Sequence, residues 1–348
     1  MDADALNLLD DLTATAKAAG ADEADALAVE GVSLSHARRL GAIERVERAE
    51  GNDLGLRVLI GNRQAIVSST DTGPDALVEL VERAIAMARV VPVDPYCGLA
   101  DPEELCVDPP ALDICDPDEP THETLVARAE ACEEAARAVA GVTNSEGAEA
   151  GWSRSRVALA ASNGFRGGYA VSRHSVGISV LAGEGLAMER DYDFASTTYG
   201  DDLEDPAAIG RRAGEQAVKR LGARRAQTGK APVVFHPRVA GGLLGHLAGA
   251  ISGPAIARGT SFLKDRMGAP VFAPGITVID EPHRPRGPRS KPFDGEGMAN
   301  ARREVIADGR LTTWILSLGS ARQLGLETTG HAARGTSGPP GPAVSNFY

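Results

Sequence analysis

The chain has 348 residues, with 36 Lys and Arg against 48 Asp and Glu, and the resulting net charge of −12 repels nucleic-acid phosphates and anionic lipid surfaces. Hydrophobic residues make up 43% and charged residues 24%, which excludes disorder throughout, while the length exceeds one ordinary core and predicts two or three units. The first residues hold no basic n-region, and no stretch approaches the roughly 18 consecutive apolar residues that cross a bilayer, so a soluble, cytoplasmic protein is expected.

Leu6, Leu9, Leu12 and Ala16 recur at spacings of three and four, which predicts a short amphipathic helix over residues 5–19. From about Asp25 to Ser69 the pattern changes to alternation. Leu54, Leu56, Val58 and Ile60, then Ala65 and Val67, with Gly61-Asn62 suited to a tight hairpin turn, predict an antiparallel meander. Gly73-Pro74-Asp75 opens a helix whose apolar face runs Leu77, Leu80, Val81, Ala84, Ile85 and Ala88. Residues 91–120 carry seven prolines and Cys97, Cys106 and Cys115 without periodicity, and read as an irregular linker. Cys132 is the fourth cysteine; no C-x-x-C pair occurs, so reduced thiols are expected in place of a zinc knuckle or disulfide framework.

A second helix is expected at 122–139, then strands at 152–161, 165–172, 175–183 and near 186–196. Asp205-Pro206 marks a helix start and Gly222 its stop. Strands followed by a helix thus occur twice, each set with a Gly-rich hairpin at 52–61 or 163–168, which suggests a duplicated α+β unit. Ala231 to Phe235 reads as a buried strand. Val239 to Ile251, apolar nearly all round apart from His246, reads as a buried helix. Within it Gly241, Gly245, Gly249 and Gly253 recur every fourth residue and form a ridge without side chains. Each helical glycine costs about 0.5–1 kcal/mol against alanine, so close packing on a neighbouring sheet or helix is expected there, ahead of direct ligand contact.

Asp294 and Glu296 in PFDGEG form a candidate carboxylate pair, against the simpler reading of a turn with solvated acids. The Pro-rich basic loop with His283, Arg284, Arg286, Arg289 and Lys291 is either plainly exposed or grips a partner's acids or a peptide carboxylate. No G-x-S-x-G elbow, Walker A or G-x-G-x-x-G after a strand occurs, so α/β-hydrolase and nucleotide chemistry have no support. His122-Glu123 lacks a second histidine at four or five residues and reads as a solvated first turn. His36, His174, His236 and His331 stand singly and read as hydrogen-bonded structural residues.

Three segments in order carry a resemblance: LGLRVLIGNRQAIVSSTD from Leu54 to Asp71, VVFHPRVAGGLLGHLAGAISGPAIARGTSFL from Val233 to Leu263, and KPFDGEGMANARREVIADGRLTTWILSLGSARQLGLETTGHA from Lys291 to Ala332. They resemble the PmbA/TldE branch of the TldD/PmbA family and anchor nearly the whole chain. The resemblance implies a cytoplasmic peptidase system in which one subunit carries zinc on an H-E-x-x-x-H helix and the other, similar in fold, does not. Two histidines on one helix face supply neutral imidazoles to Zn²⁺, and the glutamate acts as general base on zinc-bound water. Laid onto this chain, the motif's first His falls at Gly245, its Glu at His246 and its second His at Ala250.

The resemblance therefore implies no metal or cofactor in this chain, with zinc in a TldD-like partner subunit, a heterodimer acting on peptides, and no nucleic acid or membrane. His246, Arg258, Asp294 and Glu296 are the candidates for lining a peptide cavity. Family members continue past Ser345-Asn346-Phe347-Tyr348 into a β-rich region, so a truncated chain with an open strand edge near its C-terminus is expected. The expected fold is α+β, with duplicated antiparallel meanders and flanking helices, followed by an incomplete β-rich C-terminal domain around a buried Gly-rich helix. Its limits are 1–90 for the N-terminal domain, 91–120 for the linker, 121–228 for the second unit and 229–348 for the C-terminal domain. The expected function is that of the non-zinc subunit in proteolysis of unfolded or small peptides. The alternatives are a peptide-binding or chaperone-like protein, and an intrinsic hydrolase using His246, Asp294 and Glu296.

Overall fold

In the computed structural model, which describes residues 3–348, α1 (Ala3–Ala18) buries Leu6, Leu9, Leu12 and Ala16 along one stripe, as their spacing dictates. Met1 and Asp2, part of the stretch read for targeting signals, lie outside the described residues. Strands β1 (Glu23–Arg39), β2 (Ala42–Leu59) and β3 (Gln64–Ser69) form an antiparallel meander, and α2 (Pro74–Val90) follows with Pro at its start. Beyond residues 91–121 come α3 (His122–Arg137), β4 (Val142–Ala161), β5 (Arg166–Ala182), β6 (Glu189–Thr197) and α4 (Pro206–Lys219). The order helix, three strands, helix thus occurs twice. Both sets join in one six-stranded antiparallel sheet, ordered β3-β2-β1-β4-β5-β6, through the β1–β4 pairing. The segments at 1–90 and 121–228 therefore share a single sheet.

The central strands run 17 to 20 residues, much longer than the alternating segments of the sequence. Residues 42–52, the first part of β2, are exposed and mostly polar, so hydrophobic alternation marks only its covered second part.

Ala24, Ala26 and Leu34 of β1 share a parity, and hence a face, with Ala148, Ala150, Ala158 and Ala160 of β4. Helices α1 and α2 cover one end of that face with Leu9, Leu80 and Val81; α3 and α4 cover the other with Leu125, Ala129, Ile209 and Ala213. The opposite face carries Leu27, Leu159 and Phe165, which pack on Phe293 from the C-terminal region. Phe165 and Phe293 meet edge to face with centroids 4.9 Å apart. The proline-rich stretch after α2 is irregular but anchored, with Leu99, Ala100 and Ile114 buried and the Leu99 N–H donating to Glu23 Oε2 at 3.0 Å.

The C-terminal region holds α5 (Pro237–Ala250), α6 (Gly253–Ala257), β7 (Val278–Asp280), β8 (Arg303–Ala307), β9 (Arg310–Leu311), α7 (Leu318–Leu324), β10 (Ala332–Ala333) and β11 (Gly341–Pro342). Its own core gathers Leu247, Ile251, Val305, Ile306, Leu311 and Ile315. Ile279 and Tyr348 exchange both backbone hydrogen bonds, at 2.8 and 3.0 Å, so the segment expected to leave an open strand edge is itself paired to β7.

Three expectations for this region are corrected. It is not rich in strand, because its strands have two to five residues each. Twelve of the 21 prolines fall after residue 229, and proline cannot donate to a ladder. Residues 231–235 form no strand, and Val233 and Val234 are 73% and 93% exposed. Helix α5 is not buried: only Leu247 and Ala250 are. The ridge faces open space, since a Cβ built on Gly241, Gly245 or Gly249 meets nothing within 4 Å, while Gly253 alone packs, against Ser320. An apolar pattern shows that a face would gain from cover, and no described segment of this chain supplies it.

Candidate functional site

Asp25 on β1 and Arg57 on β2 are register partners on the face turned to the C-terminal region. Arg57 donates from both Nε and Nη2 to Asp25 Oδ2, and Arg334 donates from Nη1 to Asp25 Oδ1. All three side chains are buried. Burial pushes the Asp25 carboxyl up, but Arg334 and Arg57 outweigh it and hold Asp25 below its ordinary range. Arg57 Nη1 has only a long contact of 3.5 Å to Gln64 Oε1, and Arg334 Nε and Nη2 are buried without a partner.

Arg57 lines a cavity of about 220 Å³ where the sheet meets the C-terminal region, together with Gln64, Cys97, Glu296, Ser317 and Ser320. Pro339, Pro340 and Pro342 form part of its wall and offer no N–H. Glu296 Oε2 accepts from the Leu318 N–H at 2.8 Å. Burial, then the nearby Asp294, push the Glu296 carboxyl up to about 7, against the Leu318 N–H and Arg57, which favour its ionised form. Burial also raises the Cys97 thiol, which keeps it neutral. The pocket thus pairs a desolvated guanidinium with a carboxyl that changes protonation near neutrality, a combination suited to holding a carboxylate or moving a proton.

The neighbouring Asp294 has a different place. Its Oδ1 accepts from the Glu296 and Met298 N–H groups at 2.8 and 3.0 Å, and its Oδ2 accepts from Ala332 at 3.0 Å. It clamps the 294–298 loop to β10 and does not line the cavity. Both acids are desolvated, so the solvated-turn reading does not hold. His246 and Arg258 are exposed, on α5 and at the end of α6, and neither lines this cavity. The basic loop meets its own chain: Arg286 pairs with Asp113 and Asp202, Arg284 lies over the Tyr348 ring, Lys291 Nζ donates to the Ala332 carbonyl and His283 meets Asn300.

Of the single histidines, His174 lies 3.0 Å from Asp116, His331 contacts Asp280 and Thr329, and His236 caps α5. His36 differs from the expectation: both ring nitrogens are buried without a hydrogen bond, and the ring stands edge-on to the exposed His122. Asp25, Arg57 and Arg334 were not singled out by sequence. They hold each other across 32 and 309 positions, and the one local signal is a charge set between apolar neighbours, Asp25 between Ala24 and Ala26 and Arg57 between Leu56 and Val58.

Helix α5 offers a metal one imidazole, His246, flanked by Gly245 and Ala250, which carry no lone pair. Three protein ligands hold a catalytic zinc, so this helix does not fit one. Among the described residues no group of three or more His, Cys, Asp or Glu is arranged to hold a metal ion.

Residues 24–88, 115–221 and 228–348 match, in order, the first, central and C-terminal domains of the PmbA/TldA metallopeptidases. The chain is 39% identical over 303 residues to the metalloprotease PmbA of Escherichia coli O157:H7, covering 87% of this chain and 67% of that one. Against the PmbA homologue of Haemophilus influenzae it is 33% identical, covering 91% and 70%. It thus spans about two thirds of the length of these relatives. Among solved structures, one from Bacteroides thetaiotaomicron, described as a candidate modulator of DNA gyrase, has a TM-score of 0.87 at 25% identity, over 93% of this chain and 74% of that one. TldE from Thermococcus kodakarensis shares the fold, with a TM-score of 0.82 at 19% identity over 98% and 77%.

Proposed function

Because the chain belongs to the PmbA/TldD metallopeptidase family while its α5 helix lacks a zinc-ligand set, we propose that it is the metal-free partner of a zinc-bearing TldD-like subunit, acting on unfolded or small peptides in the cytoplasm. The observation that carries this reading is the residue set Gly245, His246 and Ala250 on α5, which supplies one donor where a catalytic zinc needs three. In this reading Glu296 lines the cavity that handles peptide, and Asp294 holds its loop. His246 and Arg258 belong to the side open to the partner. The exposed apolar side chains Val233, Val234, Val239 and Leu243 beside the open glycine ridge support that side as an interface. Among the described residues no helix is long and apolar enough to cross a membrane.

The test is to express the chain with and without a zinc-bearing homologue from the same genome, then measure co-elution, bound zinc and peptide hydrolysis. Alone, the chain is expected to hold no stoichiometric zinc and to cleave nothing; together, the pair co-elutes and hydrolyses peptide with zinc on the partner. Stoichiometric zinc and unaided cleavage by the single chain would overturn the assignment. A lone monomer or homodimer that ignores the homologue but binds peptide is instead the signature of the chaperone-like alternative.

A further inference from the structure

The buried charges between the sheet and the C-terminal region do not balance. Two guanidiniums, Arg57 and Arg334, face one fully ionised carboxylate, Asp25. Glu296, the next acid toward the cavity, has its carboxyl pushed up to about 7 by burial and by Asp294, so it does not supply a second full negative charge. A desolvated cation without a full partner is costly, and here spare donors remain on both arginines. Of these, Arg57 reaches the cavity wall. At roughly 30 Å³ per water, its 220 Å³ holds about seven waters, enough for one terminal residue.

We propose that this cavity takes a carboxylate, that of a peptide C-terminus, held between Arg57 Nη1 and the Glu296 carboxyl on its wall. The peptide source rests on the peptide-handling function proposed above, whereas the carboxylate chemistry rests on the cavity alone. Neutral carboxyl and bound carboxylate share one proton in a short charge-assisted hydrogen bond. An anion placed beside Glu296 disfavours its ionised form further, so binding draws in a proton. The other charged and titratable groups near Glu296 are Asp25 and Arg334 behind Arg57, Asp294 and Lys291 in its own loop, and Asp94 and Cys97 across the cavity. Asp94 is already engaged by the Tyr96 N–H at 3.0 Å and Gln64 Nε2 at 3.3 Å.

Calorimetric titration of the purified chain tests this with a tripeptide acid, its C-terminal amide, and acetate, in two buffers of different ionisation enthalpy. The acid is expected to bind about ten- to a hundred-fold more tightly than the amide, since amidation removes the charge that both donors meet. Near pH 7 up to about half a proton is taken up per ligand, and affinity falls by up to about tenfold per pH unit above 7. Glu296→Gln, whose amide N–H₂ still donates, should keep binding while abolishing proton uptake and the pH dependence. Acetate that binds as tightly as the tripeptide acid would support the carboxylate and assign the site to small carboxylates. Equal binding of acid and amide, binding without proton uptake, or no binding by any of the three would overturn it. The zinc-bearing homologue is absent from these titrations, so such failure is distinct from failure of the subunit assignment.

Discussion

Asp294 and Glu296 are separated by one glycine, yet Asp294 accepts three backbone N–H groups and Glu296 accepts one. Burial raises both carboxyls; at Asp294 three N–H partners oppose it and tie the side chain into its loop, whereas a single backbone N–H does so at Glu296. Its folded pKa of about 7 lies above the ordinary 4.5, so the folded state holds the proton more tightly than the unfolded chain. That stabilisation is complete below about pH 4.5 and is lost as pH rises through about 7, by at most ~3 kcal/mol. Glu296→Gln should therefore leave the melting temperature unchanged at pH 4.5 and raise it at pH 8; thermal unfolding at the two pH values checks this, and an equal effect at both would sink the account. PFDGEG announced an acidic pair, but no local pattern separates a clamp from a titrating group. That distinction depends on Leu318, Ala332 and Arg57, which meet these acids only through the tertiary fold.

Glycine spacing was legible in α5 but its meaning was not. The same i, i+4 signature occurs in α4 as Gly210 and Gly214, and there the backbones do meet: a Cβ on Gly210 would lie 2.0 Å from the Cys132 carbonyl oxygen of α3. Ile209, Gly210, Ala213, Gly214 and Ala217 lie on one face, and that spacing is the sequence signal for the α3–α4 contact. The apolar residues around the α5 ridge predict cover, but periodicity reports only what a helix would bury. Gly210→Ala should thus destabilise by about 2 kcal/mol or more through overpacking. Gly245→Ala, in open space on a helix, should stabilise the isolated chain by about 0.5–1 kcal/mol. Urea denaturation of both variants separates the cases, and destabilisation of the single chain by Gly245→Ala would show that the ridge is covered. The strands are legible where one half is covered and alternates, and their full length is not, because the exposed first part of β2 and residues 142–151 of β4 carry little hydrophobic signal.

At the scale of the molecule the sheet is a floor shared by two sets of elements. The helices on one face complete cores of their own with it, and the C-terminal region meets the other face through a narrower seam. That region has a modest core of its own, so its persistence depends on Phe293, wedged edge-on between Phe165 at 4.9 Å and Tyr169 at 5.5 Å, and on the ion pairs of Arg334 and Asp25. Truncating a buried Phe to Ala costs about 3–5 kcal/mol. In Phe293→Ala this loss falls on a contact that ties the C-terminal region down but is not part of the helix-covered cores. Opening of that region should become more than about a hundred-fold more frequent, with the sheet left standing. Hydrogen exchange is the measure: amides of β8 and α7 should speed up by that factor, while those at the helix-covered ends of β4 and β5 keep their wild-type rates. If the β4 and β5 amides accelerate as much as those of β8, the two regions open as one cooperative unit and the seam is not a boundary of stability.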